Sequence, residues 1–520
     1  MMNYAHPILS CRQSISHESG LLMGQEKKEW VAMCAVGREL GWSLLRDYQE
    51  IGAPPEPLKV LILAGKGHNA GDALLAAGEI LSSHENTTVF VIFVYGRHQL
   101  KPLVGRAFEQ LLEKGGERVE YFAWSDRGEA AMLEEQWNMC IDGIVGMQFA
   151  PPFRPPGDEV ISWINAHRKI DFRAAVDLPS GLSDASGEDV FRTDFTYATG
   201  IAKTPLFEKA NQQLVGRVRY IDIGFFASGE GVDPQTENIL LPSVLDPIRG
   251  LRRSQTDKRS FGHLFIIAGS RSMPGAALMA AQAAVRSGVG LVTAFVPQSV
   301  CGYFSAALPE AMWVPWPETT DGGLAMEGYD LLRSRIKRAT GVLAGPGMGD
   351  GEETQALLAR MTGEIMLPTV LDADALREGV VSVPREAGAG RLIVTPHFGE
   401  FTRMNIEGGS DFGVDEIRSF SRRMGVITVL KGPVTRITDG TEVMLSTFGG
   451  PLLARGGSGD VLSGLVGGRV AAPGAVPLEA AYQGVAWHGL AADSLARRRG
   501  AVAVKATDLL DELNSVLRDE

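Results

Sequence analysis

An order of apolar run, glycine loop and helical pattern recurs along this chain and constrains its fold more than any other feature. The stretch LKVLILAGKGHNAGDALLAAGEIL (residues 58–81) shows the order in full, and GHLFIIAGS (262–270) opens a second series. Apolar runs that do not alternate with polar residues are typical of parallel strands, which are buried on both faces. Strands that alternate with helices in this way predict an α/β protein.

Two domains account for the length and for the distribution of these units. The chain has 520 residues, enough for two large α/β domains. A polar, turn-rich stretch at 227–260 separates the two series. We therefore predict one domain over residues 1–228 and another over residues 229–520. The helical patterns of the second domain cover residues 274–287, 352–361, 459–470 and 477–499.

The net charge excludes one class of partner, and the cysteines indicate the compartment. The formal net charge is −12, whereas a general nucleic-acid binder needs a basic surface. The four cysteines are scattered without C-x-x-C spacing, which argues against structural zinc and disulfides and predicts a cytoplasmic protein. We expect no signal peptide, because the N-terminus lacks a basic stretch followed by an apolar core. We expect no membrane partner, because the apolar run at 89–95 is too short to span a bilayer.

One carboxylate stands between a glycine loop and a helix in LLARGGSGDVLSGLVGG (452–468). Gly456, Gly457 and Gly459 let several backbone N–H groups point toward an anion, and the helix N-terminus adds positive potential. A carboxylate at such a site repels phosphate, so we interpret it as taking a proton from a hydroxyl that attacks the phosphate. Asp460 is therefore a candidate base for phosphoryl transfer. A simple helix N-cap is the alternative.

Four further loops place polar side chains at the ends of predicted strands. They are GPGMG (345–349), LDADAL (371–376), TPHFGE (395–400) and KGPVT (431–435). Open α/β sheets bind ligands at the carboxyl ends of their strands. Together these loops predict a small-molecule phosphoryl-transfer site in the second domain. The chain has no G-x-x-x-x-G-K-[ST] loop, which excludes a Walker-type nucleotide site.

The first domain carries oxygen-rich side chains at the corresponding strand ends. The glycine loop supplies Asn69 and Asp72, and the later loops supply Asp142, Asp177 and Ser180. The glycine spacing is G-x-G-x-x-x-G, one residue longer than the dinucleotide fingerprint, which argues against a dehydrogenase. Oxygen ligands without Cys or His suit a hard, weakly held cation. Loop capping and turn formation are the alternative.

The motifs of the second half resemble, in order, those of the NAD(P)H-hydrate dehydratases, a branch of the ribokinase-like fold. The matching segments are FGHLFIIAGSRSMPGAALMAAQAAVRSGVGLVTAFVP, GPGMG, LDADAL, TPHFGE, VLKG and GGSGDVLSG. The resemblance implies a ribokinase-like αβα domain that repairs nicotinamide cofactors hydrated at ring carbon 6. With ADP or ATP and Mg²⁺, the hydroxyl is phosphorylated, and elimination of phosphate restores NAD(P)H.

This resemblance also implies roles for individual residues. The residues implied to hold the adenine nucleotide are Lys431, Gly432, Pro433, Val434, Thr435 and Gly459. Those implied to contact the hydrated cofactor are Ala276, Gly347, His397 and Asp460, of which Asp460 is catalytic. Phe398 departs from the family pattern, which usually has proline there.

The first half resembles the NAD(P)H-hydrate epimerases, which are often fused ahead of the dehydratase. The glycine loop, the ID strand end, VDLPSG and RVRYIDIGF occur in the order of that family. The resemblance implies a Rossmann-like three-layer αβα domain that interconverts the R and S hydrates at carbon 6. It implies Asp177 as the proton-transfer group and potassium bound by Asn69, Asp142 and Ser180.

The residues implied to hold the hydrated cofactor in the first half come from three segments. They are His68, Asn69, Ala70, Gly71 and Asp72, then Gly146, Met147, Gln148, Phe149, Ala150, Pro151 and Pro152, and finally Asp177. The family loop usually reads G-N-N-G-G-D-G, so His68, Ala70 and Ala73 depart from it, and Met147-Gln148 departs from the usual G-T-G. A Cβ at residue 70 would crowd an approaching phosphate. These departures predict weak or absent epimerase activity with the cation site retained.

Two other interpretations stay open at this point. A ribokinase-like kinase of a small vitamin-type alcohol would keep Asp460 but would leave the first domain unexplained. Alternatively, the first domain serves binding or assembly without catalysis. The expected partners are the hydrated cofactor, an adenine nucleotide and, in a homo-oligomer, further copies of the chain.

Overall fold

The computed structural model of this chain falls into two compact units. It describes residues 4–129, 135–185, 189–226, 237–383, 390–406 and 412–519. One unit is built mainly from residues 6–232, and the other mainly from residues 233–496 and 501–520. The domain boundary predicted at residue 228 lies outside the described residues.

The first unit alternates strands and helices as predicted. Its strands are β1 (Ala5–Leu9), β2 (Leu58–Ala64), β3 (Thr87–Phe93), β4 (Val119–Ala123), β5 (Trp137–Gly143), β6 (Ile170–Val176), β7 (Phe195–Thr199), β8 (Ala202–Lys203) and β9 (Arg217–Ile221). Its helices are α1 (Cys11–Leu22), α2 (Glu26–Tyr48), α3 (His68–Ser83), α4 (Pro102–Gly115), α5 (Gly157–Ala166) and α6 (Gln212–Val215).

A parallel sheet of seven strands forms the centre of this unit. The strand order is β4-β3-β2-β5-β6-β7-β9, and each neighbouring pair runs parallel. Val60 and Ile62 of β2 belong to one buried apolar cluster, while Leu61 and Leu63 belong to another. Successive side chains of a strand point to opposite faces, so both faces of the sheet are buried. This burial explains why the strand reads as an uninterrupted apolar run.

The second unit has the same alternation with more strands. They are β10 (Glu237–Leu240), β11 (His263–Ile267), β12 (Leu291–Pro297), β13 (Met312–Trp316), β14 (Gly341–Ala344), β15 (Thr369–Leu371), β16 (Leu392–Val394), β17 (Val426–Leu430), β18 (Thr435–Thr438) and β19 (Val443–Ser446). Its helices are α7 (Asp246–Arg249), α8 (Pro274–Arg286), α9 (Gln298–Ala307), α10 (Tyr329–Arg335), α11 (Glu352–Glu364), α12 (Glu378–Val381), α13 (Phe398–Met404), α14 (Val414–Met424), α15 (Ser458–Val470), α16 (Pro477–Arg499) and α17 (Leu509–Asp519).

The sheet of the second unit is parallel from one edge up to β17 and then changes direction. Its order is β13-β12-β11-β14-β15-β16-β17-β18-β19-β10, and the pairs β17–β18 and β18–β19 are antiparallel. The sheet is therefore mixed, with an antiparallel edge on a parallel body. The connection at 431–434 is too short for the crossover that a parallel pair needs, so it closes a hairpin.

The helices predicted for the second domain are confirmed, with α8, α11, α15 and α16 at the expected places. Leu264 and Ile266 of β11 pack in one apolar cluster and Phe265 and Ile267 in another, so this sheet is also buried on both faces. Within the described ranges, none of the helices is long and apolar enough to cross a membrane.

Candidate active sites

The first unit has a cavity of about 1040 Å³ at the carboxyl ends of its strands. Its walls include residues that follow β2, β3, β5 and β6. The neighbours of β2 are β3 and β5, so the direction in which the sheet is built reverses at β2. Ligands of open α/β sheets bind at such switch points, and the volume is at the upper end of small-molecule sites.

Ten of the thirteen residues predicted to hold substrate line this cavity. They are His68, Asn69, Asp72, Gly146, Met147, Gln148, Phe149, Ala150, Pro152 and Asp177. Ala70, Gly71 and Pro151 are not among the lining residues. Ala70 lies in α3, is fully buried and packs in the apolar core. The expectation that its Cβ crowds the substrate is therefore wrong, because the methyl group fills the core instead.

The three residues predicted to bind a cation share one hydrogen-bond network. Ser180 donates to the Asp142 carboxylate through its backbone N–H (2.7 Å) and its hydroxyl (2.6 Å). Asn69 Nδ2 donates to the carbonyl oxygens of Val145 (3.3 Å) and Val176 (2.9 Å). The Ser180 hydroxyl also lies 3.2 Å from the Val145 carbonyl oxygen, which links the two groups. Carboxylate, hydroxyl and amide oxygens thus meet at the end of β5.

Asp177 lies directly after β6 and lines the cavity with an unusual backbone conformation. Its φ is 66°, in the left-handed region that a non-glycine residue seldom adopts. Its carboxylate forms a buried ion pair with Lys203 Nζ and accepts a hydrogen bond from the Thr199 hydroxyl (3.3 Å). The two side chains of the ion pair are 5% and 1% exposed. Strained residues concentrate at functional sites, and this pair fixes a carboxylate at the cavity wall.

The wall of the cavity carries charges of both signs. Lys66 and Lys101 line it, as do Asp72 and Asp177. The imidazole of His68 lies 3.7 Å from the Glu29 carboxylate, but burial and the charge of Lys101 lower the pKa of His68. A neutral His68 can accept as well as donate a hydrogen bond near neutral pH.

The second unit gathers its candidate residues at the carboxyl ends of β15, β16 and β17. His397 and Lys431 form a parallel bridge that extends the β16–β17 pairing. The backbone N–H of Lys431 donates to the Pro396 carbonyl oxygen (2.8 Å). Sheet pairing therefore fixes where the Lys431 side chain starts.

The Lys431 ammonium is surrounded by carboxylates. It lies 3.1 Å from Asp372 and 3.7 Å from Glu400, both of which are buried. Burial lowers the pKa of Lys431, but these two carboxylates raise it by more, so the group is held charged. A Cβ built on Gly459 would lie 3.3 Å from Lys431 Nζ, which places the ammonium beside the glycine loop. A cation at a helix N-terminus strengthens an anion site.

Asp460 lies in the first turn of α15, close to this charged group. Burial, followed by the charge of Asp372, raises the pKa of Asp460 to about 7, although Lys431 opposes the change. A carboxylate with a pKa near 7 can take up a proton at physiological pH. Among the residues predicted here, Asp460 therefore has the electrostatic setting of a general base.

Two different structural requirements explain the glycines around Asp460. Gly457 has a φ of 92°, which allows the turn that leads into α15. A Cβ on Gly464 would lie 2.2 Å from the Ala280 carbonyl oxygen, so this glycine lets α15 approach α8. The sequence pattern thus combines an anion loop with a close helix–helix contact.

His397 and Phe398 open α13 beside the predicted nucleotide loop. His397 Nδ1 accepts from the backbone N–H groups of Gly399 (3.0 Å) and Glu400 (3.2 Å), and Glu400 accepts from the His397 N–H (2.8 Å). This capping box leaves the imidazole 59% exposed and available to a ligand. Phe398 takes the first helical position, which proline also favours. A Cβ on Gly432 would lie 2.8 Å from the Phe398 ring, so the two residues fit each other.

The remaining predicted residues lie in two places. Gly347 follows β14, and a Cβ built on it would lie 2.8 Å from Ala276 Cβ, so these two meet. The hairpin turn at 431–434 contains Pro433 and Val434, and Thr435 begins β18.

Two functional candidates were missed in the sequence. Lys203 is the single lysine of the apolar segment YATGIAK and lies in the buried strand β8. A lone charged residue in such a segment indicates a buried partner of opposite charge, and this signal could have identified the ion pair. Glu18 lines the first cavity from α1. No signal identified it, because the surrounding segment is polar and has no strand-end motif.

Comparison with known proteins assigns a family model to each unit. Residues 31–204 match the model described as YjeF-related protein N-terminus, and residues 264–515 match that of NAD(P)H-hydrate dehydratase. A bifunctional NAD(P)H-hydrate repair enzyme of Gloeobacter violaceus is 34% identical, covering 91% of each chain. Another, from Moorella thermoacetica, is 31% identical over 89% of this chain and 88% of its own.

Among solved structures, the chain is similar to the ADP/ATP-dependent NAD(P)H-hydrate dehydratase from Bacillus subtilis, co-crystallised with ATP and Mg²⁺. That match has 27% sequence identity and a TM-score of 0.46, and it covers 52% of this chain and 95% of the other.

Proposed function

The chain belongs to the family of bifunctional NAD(P)H-hydrate repair enzymes, and on this premise we propose that each unit performs one of the two reactions. The second unit dehydrates the S hydrate of NADH or NADPH with ADP or ATP as the phosphoryl donor. The first unit interconverts the R and S hydrates. The observation that carries the assignment is the carboxylate of Asp460, beside Lys431 and the anion loop, with a pKa raised to about 7.

In the dehydration, Asp460 takes the proton of the hydroxyl on carbon 6. The oxygen then forms a bond to the terminal phosphorus, and the bond from that phosphorus to the nucleotide breaks. The phosphate leaves carbon 6 and takes up the proton that carbon 5 loses, and the electron pair of that carbon–hydrogen bond restores the double bond between carbons 5 and 6. The ammonium of Lys431 and the N-terminus of α15 stabilise the charge on the transferred group.

The remaining predicted residues place the two substrates around Asp460. Gly432–Thr435 and Gly459 hold the adenine nucleotide, and Ala276, Gly347 and His397 contact the hydrated cofactor. Mg²⁺ fits this site because Asp372 and Glu400 present buried carboxylates next to Lys431. It would neutralise charge on the phosphate oxygens.

Potassium fits the network at the end of β5 in the first unit. Asn69, Asp142 and Ser180 supply hard oxygen atoms, as such a cation requires. Burial raises the pKa of Asp142 to about 6, although hydrogen bonds from Ser180 oppose the change. A bound cation would offset the cost of this buried charge and would order the loop that follows β5.

We propose a working epimerase rather than the weak one expected from the sequence. The Ala70 methyl group lies in the core, and Asp177 retains a buried ion pair at the cavity wall. Met147 and Gln148 do line the cavity, but a volume of about 1040 Å³ remains. None of these observations favours the alternative in which the first domain serves binding or assembly without catalysis. The kinase of a vitamin-type alcohol leaves the first unit unexplained. The cytoplasmic location and the homo-oligomer stay predictions.

A direct assay tests the dehydratase assignment. The full-length protein is incubated with S-hydrated NADH and either ADP or ATP, and the absorbance of reduced nicotinamide is followed. We expect nucleotide-dependent recovery of NADH. Phosphorylation of a vitamin-type alcohol in place of this recovery would favour the kinase.

A further inference from the structure

The first cavity contains a carboxyl group, that of Glu18, to which the resemblance to known epimerases assigns no role. Glu18 lines the cavity from α1, whereas Asp177 reaches it from the end of β6. Asp72 reaches the same wall from α3. These three carboxyl groups from three separate elements line one cavity, together with Glu29 and Glu159.

Asp72 places an unpartnered, buried carboxyl oxygen at this acidic wall. The residue is 6% exposed, and its Oδ1 atom has no hydrogen-bond partner among the residues that the structure describes. Burial, then the charges of Asp177 and Glu18, raises the pKa of Asp72 well above its ordinary value. A buried polar atom without a partner is costly, and a polar ligand in the cavity would remove that cost.

The helix that carries Glu18 is held in place from the loop that follows Asp177. The Asp184 carboxylate accepts hydrogen bonds from the backbone N–H groups of Cys11 (2.8 Å) and Arg12 (3.1 Å) at the start of α1. Ser10 caps the same end with a reciprocal capping box. One loop thus connects the position of Glu18 with that of Asp177.

The carboxyl groups of Glu18 and Asp177 have different electrostatic surroundings. Asp177 forms a buried ion pair with the ammonium of Lys203. Burial raises the pKa of Glu18 to about 7; Lys203 opposes this change and Asp177 adds to it. Asp72 on α3 also faces Glu18, while Glu29 on α2 lies against His68. Near neutral pH the wall therefore offers both a proton donor and a proton acceptor, as paired carboxyl groups do in other enzymes.

We propose that Glu18 is a second catalytic residue of the first unit and acts with Asp177 in inverting carbon 6 of the hydrated nicotinamide. This inference rests on the epimerase function proposed above. The neutral Glu18 gives its proton to the hydroxyl oxygen as the carbon–oxygen bond breaks. The lone pair of the ring nitrogen forms a double bond to carbon 6, and water leaves.

A water molecule then adds to the other face of carbon 6. Its proton passes to the Asp177 carboxylate, and the electron pair of the carbon–nitrogen double bond returns to nitrogen. One water molecule is lost and one is gained, so the composition of the substrate is unchanged and no oxidant or reductant is needed. The proton returns from Asp177 to Glu18 through water, which restores the enzyme. The other epimer uses the same two groups in exchanged roles.

The test measures epimerisation of the purified R hydrate in H₂¹⁸O without nucleotide, for the wild type, Glu18→Gln and a charge-matched control. The control is Glu26→Gln, because Glu26 is exposed at the start of α2. We expect ¹⁸O to enter carbon 6 at the rate of epimerisation. Glu18→Gln should lower that rate by about 10²–10⁴-fold, the usual contribution of a positioned acid. Glu18→Gln should dehydrate the S hydrate at the wild-type rate. Glu26→Gln should epimerise the R hydrate at the wild-type rate.

The pH profile separates catalysis from a structural role. Because Glu18 must be protonated, the wild-type rate should fall as the pH rises above about 7. Glu18→Gln should lose this alkaline limb, and Glu18→Asp should keep it at a reduced rate. If Glu18→Gln does not fold, the alkaline limb of the wild-type pH profile and the profile of Glu18→Asp decide whether Glu18 acts in catalysis.

Different outcomes overturn different claims. A Glu18→Gln rate within about threefold of the wild type would contradict the role of Glu18 and leave the epimerase assignment intact. Epimerisation without ¹⁸O uptake, or a wild-type rate that does not fall above pH 7, would also contradict it. A wild type that fails to epimerise would instead contradict the proposed function of the first unit.

Discussion

Each unit builds its site at the carboxyl ends of the parallel strands of its own sheet. The surroundings of the key carboxylate differ between the two units. In the first unit, Asp177 lies in a buried ion pair with Lys203, whose side chain is 1% exposed. In the second, Asp460 lies near Lys431, which is 22% exposed beside the glycine loop. The buried pair holds one carboxylate in place for proton transfer within a cavity. A more open lysine can attract the phosphates of a nucleotide. The difference suits an isomerisation without a co-substrate and a phosphoryl transfer with one.

The largest effect expected from this contrast is the loss of one reaction alone. Asp460→Asn removes the proposed base of the second unit, so nucleotide-dependent dehydration should fall by about 10²–10⁴-fold. Epimerisation measured without nucleotide should be unchanged, because Asp460 belongs to the other unit. Steady-state assays of both reactions on one preparation check this. Near-normal dehydration by a folded variant would remove Asp460 from the role of base.

The buried ion pair of the first unit should matter for stability as well as for activity. Lys203→Met leaves the Asp177 carboxylate buried without its partner, which should lower the free energy of unfolding by about 3–5 kcal/mol. The Asp177→Asn, Lys203→Met double variant should recover much of that loss and remain inactive as an epimerase. Denaturant unfolding of the wild type, Asp177→Asn, Lys203→Met and the double variant measures the coupling. Additive losses in the double variant would show that the pair is not coupled.

The pH dependence should also differ between the two reactions. Asp460 acts as a base and must be deprotonated, so dehydration should rise as the pH increases through about 7. The epimerase depends on a protonated Glu18 and should fall over the same range. Measuring both rates between pH 5.5 and 8.5 on one protein compares them directly. Parallel profiles would contradict the assignment of opposite proton roles.

The openness of Lys431 predicts a moderate effect on nucleotide binding. ADP or ATP should raise the melting temperature of the protein, because the ligand binds only the folded state. Lys431→Ala should reduce that rise, whereas Lys505→Ala, at an exposed lysine, should preserve it. Thermal shifts at a series of nucleotide concentrations provide the measurement. An undiminished shift in Lys431→Ala would place the nucleotide elsewhere.

The smallest expected effect concerns the cation of the first unit. Potassium should raise the melting temperature more than sodium at equal ionic strength, because Asn69, Asp142 and Ser180 form an oxygen-rich network. Asp142→Asn should abolish the difference between the two salts. Equal shifts for sodium and potassium in the wild type would argue against a specific site.

The sequence predicted what depends on local pattern. Apolar runs and glycine loops located the strands and the helix behind Asp460, since burial on both faces and turns at positive φ leave clear signatures. The sequence analysis was wrong about Ala70. A shift of one residue in where a helix begins decides whether a Cβ points toward a ligand or into the core, and the sequence does not locate helix ends that closely. It did not find Lys203 or Glu18, since their partners lie 26 residues away or on another element. Contacts between distant segments have no periodicity to detect.

The measurement that tests the central claim most directly is the fate of a mixture of both epimers. The full-length protein receives R- and S-hydrated NADH with excess nucleotide, and both are followed by chromatography. Two working sites predict rapid and complete conversion of both epimers, with R-hydrate consumption lost in Asp177→Ala and S-hydrate consumption retained. If the wild type consumes one epimer quickly and leaves the other to its slow spontaneous rate, the first unit is not an epimerase and the account is contradicted.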